Sequence, residues 1–327
     1  MTTPRTVSTS VIIRCLNEEA HIGRLLTGLM RQRTRPDQIV VVDSGSSDAT
    51  LDIASRFPVD VLHIAPEEFS FGRALNRGLD AATGEVALLA SAHVYPVRTT
   101  WLDAMVAPFA RPEIALTYGR QVGNEVTRYS EHRILDRWFP RESDPDQRHP
   151  FCNNANAAIR VDVWKRQPYD EDLTGLEDMA WAKAALADGH RLAYVAEAEI
   201  VHAHDESWSS VVNRYRREAI AHKKIYDEAK MSAPEAASLF LASVGSDVTH
   251  ALRDRSLGRV GDIVGFRAAQ FLGTFQGFQQ SGPVHAALKR RFYYPGVTRP
   301  SAEVATGGDL IDYAAPDDVP GAEGSSA

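Results

Sequence analysis

The chain has 327 residues, of which 44% are hydrophobic and 24% charged, and its formal net charge is −7. This is the composition of a soluble globular protein with room for one large domain or slightly more. The acidic balance and the lack of an interleaved basic and aromatic pattern argue against a nucleic-acid partner. No apolar run approaches the roughly 18 residues of a membrane span, and residues 1–10 lack the apolar core of a secretory signal. We therefore expect a cytoplasmic protein, and its two cysteines, Cys15 and Cys152, predict reduced thiols rather than a disulfide framework.

Strands and helices alternate in the first hundred residues. The apolar runs within 8–16, 38–46 and 85–90 predict strands, and the short uninterrupted run at 85–90 predicts a strand that is buried on both faces. Between them, segments with helical spacing of apolar residues predict helices, the last of them at 71–82. This alternation is typical of βαβ units and predicts an α/β fold with a mostly parallel central sheet flanked by helices.

The remaining elements are more varied in character. We predict strands at 114–122 and 191–204, a strand followed by a short helix at 156–169, a helix at 175–190, and a long loop or lid at 123–150. From residue 207 onward the pattern is helical, and this segment carries an excess of basic residues. Residues 300–327 contain six acidic residues and no Lys or Arg, a composition typical of disorder.

These patterns divide the chain into four parts. Residues 1–7 are predicted to be a flexible N-terminus, and residues 8–206 an α/β domain. Residues 207–299 are predicted to form a helical C-terminal subdomain, and residues 300–327 a disordered acidic tail. The basic helical segment could pack on the sheet, form a homodimer interface, or lie on an anionic membrane surface at the inner face of the membrane.

Polar residues follow three of the predicted strands. Asn17, Asp43, Ser44 and His93 all stand at carboxyl ends, where open α/β sheets bind their ligands. Asp43 could accept hydrogen bonds from a nucleotide base or from ribose hydroxyls, or it could simply cap the turn that follows its strand.

Cationic side chains on the predicted helix 71–82 suit a diphosphate. Arg73 and Arg77 lie one turn apart and can face the same side, where two guanidinium groups could bind paired phosphates. The alternative is an ordinary solvated helix face.

Acidic and imidazole side chains form two further candidate groups. Glu177 and Asp178 begin a helix, where one could act as a general base or both could merely compensate the helix dipole. His202 and His204 face the same side of a strand and, with His93, give three imidazoles that could reach a metal or a phosphate. Beside a diphosphate, Mg²⁺ or Mn²⁺ suits such a site better than zinc.

The order of these motifs resembles one family. The segments SVIIRCLNEEAHI, VVDSGSSDAT, FGRALNRG, LLASAHVYP, YGRQ, NANAAIR, GLEDMAWAKAAL and VHAHDESW are similar to those of the family 2 inverting glycosyltransferases of the GT-A fold, over about residues 8–220. The resemblance implies a nucleotide-sugar-binding and catalytic domain at 8–206. It implies that the donor is contacted by Cys15, Leu16, Asn17, Glu18, Asp43, Ser44, Arg73, Asn76, Arg77, Ser91, Ala92 and His93.

The resemblance also implies roles in catalysis. Asp178, paired with Glu177, would be the catalytic base, and Asn156 and Trp181 would contact the sugar or the acceptor. A divalent metal, Mg²⁺ or Mn²⁺, would be held by His93, His202 and His204.

The sequence departs from the family at the metal motif. Where most members have Asp-x-Asp, this chain has Ser91, Ala92 and His93, so neither carboxylate is present. An imidazole can still bind a divalent ion, or it can donate to the diphosphate as an imidazolium. We expect His93 at the diphosphate, and metal dependence stays open.

The sequence therefore predicts an inverting glycosyltransferase acting in cell-surface polysaccharide or glycolipid biosynthesis. Its predicted partners are a nucleotide-diphosphate sugar and a carbohydrate or lipid-linked acceptor. The alternatives are a catalytically impaired nucleotide-sugar-binding protein without the Asp-x-Asp motif and a nucleotidyltransferase. The acidic, Gly-free RCLNEEA segment after the first strand argues against the nucleotidyltransferase.

Overall fold

The structure is a computed structural model and describes residues 7–281, 293 and 309–313. Within these residues nine strands form one sheet. The strands are β1 (Thr9–Cys15), β2 (Gln38–Asp43), β3 (Asp60–His63), β4 (Val86–Ser91), β5 (Val94–Pro96), β6 (Ile114–Val122), β7 (Asp144–Gln147), β8 (Asn156–Arg160) and β9 (Arg191–His202). The α-helices are α1 (Ile22–Met30), α2 (Thr50–Ala54), α3 (Phe71–Asp80), α4 (Trp101–Val106), α5 (Tyr129–Trp138), α6 (Val161–Arg166), α7 (Glu177–Ala187), α8 (Trp208–Ile225), α9 (Ala233–Arg253) and α10 (Val260–Gln279).

The sheet joins a parallel part to a mixed part. Its strand order is β3-β2-β1-β4-β8-β6-β9-β5, and β7 pairs with β9 outside this path. Strands β3, β2, β1 and β4 are parallel, as the alternating pattern predicts. Beyond β4 the sheet is mixed, because β8 runs antiparallel to both of its neighbours while β6 and β9 are parallel to each other. The α/β fold with a central sheet flanked by helices is thus confirmed, and parallel pairing dominates only its first half.

Alternating residues of β1 bury the two faces of the sheet. Ile12 belongs to a core cluster with Leu75 and Leu79 of α3. Val11 and Ile13 point to the opposite face and belong to a second cluster, which includes residues of α1 and α4. This two-sided burial follows from the period of two in a strand and explains the uninterrupted apolar run. It leaves the carboxyl end of β1 as the place where polar side chains become accessible.

The segment predicted as a long loop or lid contains regular structure. Helix α5 and strand β7 both lie within residues 123–150. The helix escapes a pattern-based prediction because two polar residues, Ser130 and Glu131, occupy its buried face together with Leu135. The prediction of an irregular segment was therefore wrong for these two elements.

Helices α8, α9 and α10 follow the sheet, in a segment whose sequence predicts helices. Helix α10 packs closely on α8, since a Cβ atom added at Gly273 would lie 2.3 Å from the carbonyl oxygen of Val212. Among the described residues, none of the helices combines the length and hydropathy needed to span a membrane. The predicted boundary between the α/β domain and a helical subdomain stays a prediction.

Part of the predicted disordered tail is packed. Residues 309–313 lie against residues 97–99, which they join through two backbone hydrogen bonds of 3.0 Å, and Ile311 is only 6% exposed. The prediction of disorder over 300–327 is wrong for this segment, because its apolar side chain and its backbone both find partners. The remaining residues of that tail, and residues 1–6 of the predicted flexible N-terminus, lie outside the described residues.

Candidate active site

Parallel pairing aligns the ends of three strands at one edge of the sheet. Cys15 at the end of β1 lies beside Asp43 at the end of β2, and Arg14 lies beside Ser91 at the end of β4. The loops that follow these strands carry most of the residues that the sequence assigns to the donor.

Asp43 holds the turn that follows β2. It is 1% exposed, and its carboxylate accepts hydrogen bonds from the backbone N–H groups of Gly45 at 3.0 Å and Ser46 at 3.2 Å. Gly45 has φ +102°, a left-handed conformation that favours glycine. The structure therefore gives Asp43 the capping role, and its contact with a base or ribose stays a prediction. Burial beside this carboxylate raises the pKa of the Cys15 thiol.

The loop after β1 is tied to the loop after β2. Asn17 has φ +53°, and its side-chain oxygen accepts a hydrogen bond from the Ser47 N–H at 2.8 Å. The Glu18 N–H donates to the Thr50 hydroxyl at 2.7 Å. Ser44 is buried and donates to the carbonyl of Cys15, and Leu16 is half-buried. These bonds fix the loop and leave the Glu18 carboxylate directed toward the end of β4.

The replacement of Asp-x-Asp brings an imidazole to that carboxylate. After β4, the Ala92 N–H donates to the Arg14 carbonyl at 3.2 Å, and Ala92 is fully buried. The His93 side chain follows, with Nδ1 at 2.7 Å from Oε1 of Glu18. Burial acts to lower the pKa of His93, but the Glu18 carboxylate outweighs it and raises that pKa above its ordinary value.

Three imidazoles meet next to this turn. We call His93, His202 and His204 the three-histidine cluster; one ligand nitrogen of each lies within 4.8 Å of those of the other two. The Nε2 atoms of His202 and His204 are 2.8 Å apart, and the rings of His93 and His202 stack at a centroid distance of 5.1 Å. Burial and the neighbouring His204 and His93 lower the pKa of His202 well below its ordinary value, which favours the neutral ring.

Helix α5 supplies a carboxylate behind the cluster. Oε1 of Glu131 lies 2.7 Å from Nδ1 of His204, and Arg214 of α8 donates to the same oxygen at 2.6 Å. Burial alone would raise the pKa of Glu131, but Arg214 and His204 together lower it to about 2. Glu131 is therefore a permanent anion that orients His204.

The acid pair begins α7, as predicted from the sequence. Asp178 accepts backbone hydrogen bonds from Met179 at 2.8 Å and from Asn154 at 3.1 Å, and it is 8% exposed. Burial and the adjacent Glu177 raise the pKa of the Asp178 carboxyl to about 7. Arg14 reaches from β1 to Glu177, with 3.4 Å between Nη1 and Oε1. The pair thus holds a carboxyl that can gain or lose a proton near neutral pH, next to a cation from the sheet.

The α3 residues assigned to the donor have partners within the chain. Arg73 donates to Glu171 at 2.7 Å. Asn76 is buried, and its amide bonds to Tyr169, Glu171 and Trp164. Asn76 is thereby a structural residue whose hydrogen-bonding groups are already in use, whereas Arg77 is exposed.

Two predicted acceptor contacts lie inside the core. Asn156 has no exposed surface and bonds to Trp101, to the Arg120 carbonyl and to the Ala198 carbonyl. Trp181 is 2% exposed and donates to the Gln167 carbonyl at 2.6 Å. Neither side chain can contact a sugar or an acceptor without opening the core, so we correct this assignment.

Sequence reasoning missed four residues of the site. Arg14 interrupts the apolar run of β1, and a charged residue in a buried strand was a usable signal for it. Gln121 at the end of β6, Glu131 and Arg214 gave no such signal, because their segments read as an ordinary strand, a polar loop and a basic helix. Their roles depend on contacts with residues 73 to 83 positions away in three cases.

The mixed sheet with its parallel first half is that of a GT-A fold. Its candidate nucleotide-sugar site consists of the loops at the carboxyl ends of the parallel strands, the three-histidine cluster and the acid pair. The family model described as Glycosyl transferase family 2 matches residues 10–166. Residues 10–166, just under half of the chain, are thus similar to glycosyl transferase family 2.

Curated relatives and solved structures show further similarities. The chain is 26% identical over 204 residues to the O-antigen chain rhamnosyltransferase WbaN of Salmonella anatum. The matched region covers 59% of this chain and 64% of that protein. It is 25% identical over 232 residues to the O-antigen chain rhamnosyltransferase RfbN of Salmonella typhimurium, covering 65% and 72%. The chain thus spans less than two thirds of the length of the first of these relatives.

Among solved structures, the fold is similar to the mannosyltransferase PcManGT of Pyrobaculum calidifontis in complex with GDP-Man and Mn²⁺. The TM-score is 0.60 at 18% identity, with 84% of this chain and 88% of that chain covered. The S. aureus TarS fragment 1-349 in complex with UDP-GlcNAc gives a TM-score of 0.50 at 17% identity, covering 80% and 90%. These similarities establish the shared fold.

Proposed function

We propose that this protein transfers a sugar from a nucleotide-diphosphate donor to an acceptor hydroxyl, with inversion at the anomeric carbon, in the synthesis of a cell-surface polysaccharide or glycolipid. The match of residues 10–166 to the family model and the similarity to the two Salmonella O-antigen rhamnosyltransferases support sugar transfer of this kind. The observation that carries the mechanism is the Asp178 carboxyl, which is buried beside Glu177 and has a pKa raised to about 7.

Asp178 suits the role of general base. A base works best when its pKa lies near the working pH, and burial brings this carboxyl into that range. The ionised carboxylate takes the proton of the acceptor hydroxyl while the hydroxyl oxygen bonds to the anomeric carbon. The bond from that carbon to the diphosphate oxygen breaks on the opposite face, and the nucleoside diphosphate leaves with the electron pair.

The leaving diphosphate needs positive charge. Arg14 lies between the acid pair and the end of β4, and the three-histidine cluster lies just beyond that strand, so both are suited to stabilise charge that develops on the phosphate. The cluster also fits a divalent ion, because three imidazole nitrogens converge there. When bound, such an ion would offset the negative charge of the diphosphate.

A donor screen tests the activity. The protein is incubated with GDP-Man, UDP-GlcNAc and a nucleotide-activated rhamnose, each with a saccharide or lipid-linked acceptor, and release of the nucleoside diphosphate is measured. NMR of the product then compares its anomeric configuration with that of the donor. Retained configuration would contradict the inverting mechanism, and no release with any donor would favour the impaired binding protein.

Asp178→Asn tests the base. We expect its turnover to fall by about 10²–10⁴-fold, while stabilisation by the nucleoside diphosphate in a thermal-shift titration stays unchanged. Asp188→Asn, at the exposed end of the same helix, is the matched control. Normal turnover of Asp178→Asn would rule out this base.

A peripheral membrane location is part of the proposal if the acceptor is lipid-linked. Helices α9 and α10 and the turn between them expose Leu241, Leu252, Leu257 and Leu272, each at least half exposed, beside Arg253, Arg255 and Arg259. Apolar side chains flanked by cations favour anionic lipid surfaces. Co-sedimentation with anionic vesicles at low and high salt tests this, and the absence of salt-sensitive binding would remove it. The predicted homodimer stays a prediction that sedimentation velocity can check.

A further inference from the structure

Each member of the three-histidine cluster turns its Nδ1 atom toward an oxygen. In chain order, the oxygens belong to Glu18, Gln121 and Glu131, at 2.7, 2.8 and 2.7 Å. Carboxylate oxygens can only accept, so the facing Nδ1 atoms of two rings carry the proton, and the amide oxygen of Gln121 assigns the third in the same way.

This arrangement leaves Nε2 as the open nitrogen of each ring. In a neutral imidazole protonated at Nδ1, Nε2 carries a lone pair. The Nε2 atoms of His202 and His204 face each other at 2.8 Å, a distance that two lone pairs tolerate only with a proton on one nitrogen or a metal cation shared by both. An imidazole whose other nitrogen bonds to an oxygen acceptor is also the arrangement that metal-binding histidines use in proteins.

The nearby carboxylates are engaged elsewhere. Glu131 and Glu206 both accept from Arg214, at 2.6 and 2.5 Å, and Glu18 faces Nδ1 of His93. The three-histidine cluster itself offers only nitrogens, and the oxygens of Glu131 and Glu206, which lie within 4.8 Å of a His204 nitrogen, share their charge with Arg214. Mg²⁺ prefers oxygen ligands and retains its waters, whereas imidazole suits the later divalent ions, whose affinities rise from Mn²⁺ through Co²⁺.

We propose that the three-histidine cluster binds a divalent ion of the Mn²⁺, Co²⁺ and Zn²⁺ group in preference to Mg²⁺, and that Glu18, Gln121 and Glu131 are its positioning residues. The proposal deepens the proposed function, because it concerns the ion that would face the donor diphosphate. In this proposal the ion selectivity results from the replacement of the two Asp-x-Asp carboxylates by Ser91 and the imidazole of His93.

Metal binding to the full chain without any donor tests the proposal. The metal-stripped protein is titrated with Mn²⁺, Co²⁺, Zn²⁺ and Mg²⁺ alone by calorimetry, and Co²⁺ is also followed by visible absorption, which reports its coordination. We expect one Co²⁺ per chain and Mg²⁺ binding weaker by about 100-fold or more. Equal affinities for Mg²⁺ and Co²⁺, or no saturable Co²⁺ binding, would overturn the proposal. Because no donor is present, failure here leaves sugar transfer standing, and failure of sugar transfer leaves metal binding measurable.

Substitutions locate the site. His204→Gln should abolish the Co²⁺ spectrum, whereas His149→Gln, an exposed histidine outside the cluster, should leave it unchanged. Glu18→Gln should weaken Co²⁺ binding by about 10–100-fold, with unchanged far-UV circular dichroism, and Glu228→Gln should have no effect. Glu18→Gln is the deciding variant, since Glu131 also pairs with Arg214. A Co²⁺ spectrum that survives both His204→Gln and Glu18→Gln would show that the ion binds elsewhere.

Discussion

The raised pKa of Asp178 predicts how the stability of the protein depends on pH. Burial beside Glu177 raises this pKa from 3.8 to about 7, so between these values the folded protein holds a proton that the unfolded chain has released. Unfolding then releases a proton, and raising the pH favours unfolding. The stabilising contribution is fully present below the unfolded pKa and is lost as the pH rises through about 7.

The magnitude follows from the size of the interval. The cost is about 1.4 kcal/mol for each pH unit, so the whole interval amounts to about 4 kcal/mol at most, shared with Glu177 because the two carboxyls titrate as a pair. Asp178→Asn removes the titration. It also replaces one acceptor with a donor opposite the Asn154 or Met179 N–H, a cost of about 1–3 kcal/mol that does not change with pH.

Urea unfolding followed by circular dichroism gives the free energy of unfolding of the wild type and the variant. At about pH 4 we expect Asp178→Asn to be the less stable protein, and at about pH 8 the difference should shift in its favour by up to about 4 kcal/mol. Asp188→Asn should show no such shift. If the difference in free energy of unfolding between Asp178→Asn and the wild type is the same at both pH values, the pKa of the Asp178 carboxyl is not raised. The argument that Asp178 is the base would then fail.

Three further changes test the packing. Asn156→Ala should lower the free energy of unfolding by about 3 kcal/mol, because it leaves the buried Trp101 N–H without an acceptor, as measured by urea unfolding. Gly273→Ala should lower the free energy of unfolding by about 1–3 kcal/mol, because the added methyl group separates α8 and α10. Gly245→Ala, where a Cβ meets nothing within 4 Å, should instead raise it by up to about 1 kcal/mol. Equal effects of the two variants in thermal unfolding would contradict the close approach of the helices at Gly273. A variant that ends before residue 309 should show faster amide hydrogen exchange in residues 97–99. Unchanged exchange would show that residues 309–313 do not pair with residues 97–99 in solution.

The parts of the fold that follow from sequence are those with local signals. The apolar runs of β1, β2 and β4 are buried on both faces, so they predict their own strands, and the polar residues after them predict the edge where the site lies. His202 and His204 were predicted to face one side, and the structure brings them together with His93. Local spacing therefore predicts the strands and the shared side of His202 and His204, whereas their meeting with His93 depends on the pairing of β5 with β9.

The missed parts depend on distant partners. Asn156 looks like an available amide in the sequence, but its partner Trp101 is 55 positions away, so its burial has no local signal. Glu131 looks like one of many charged residues in a polar segment, and only its ion pair with Arg214, 83 positions away, gives it a place in the interior. A pattern of single residues does not encode such pairs.

The packed segment 309–313 also affects how the molecule meets others. Sheet edges expose unpaired backbone groups that can recruit a strand from another chain. Just past the end of β5, residues 309–313 form an isolated antiparallel bridge with residues 97–99. At the far edge, β3 carries the charged Asp60 and the titratable His63, which discourage recruitment. A form of the protein that lacks residues 309–313 would expose the backbone groups of residues 97–99 that this segment otherwise pairs, and with them a place where another chain could bind.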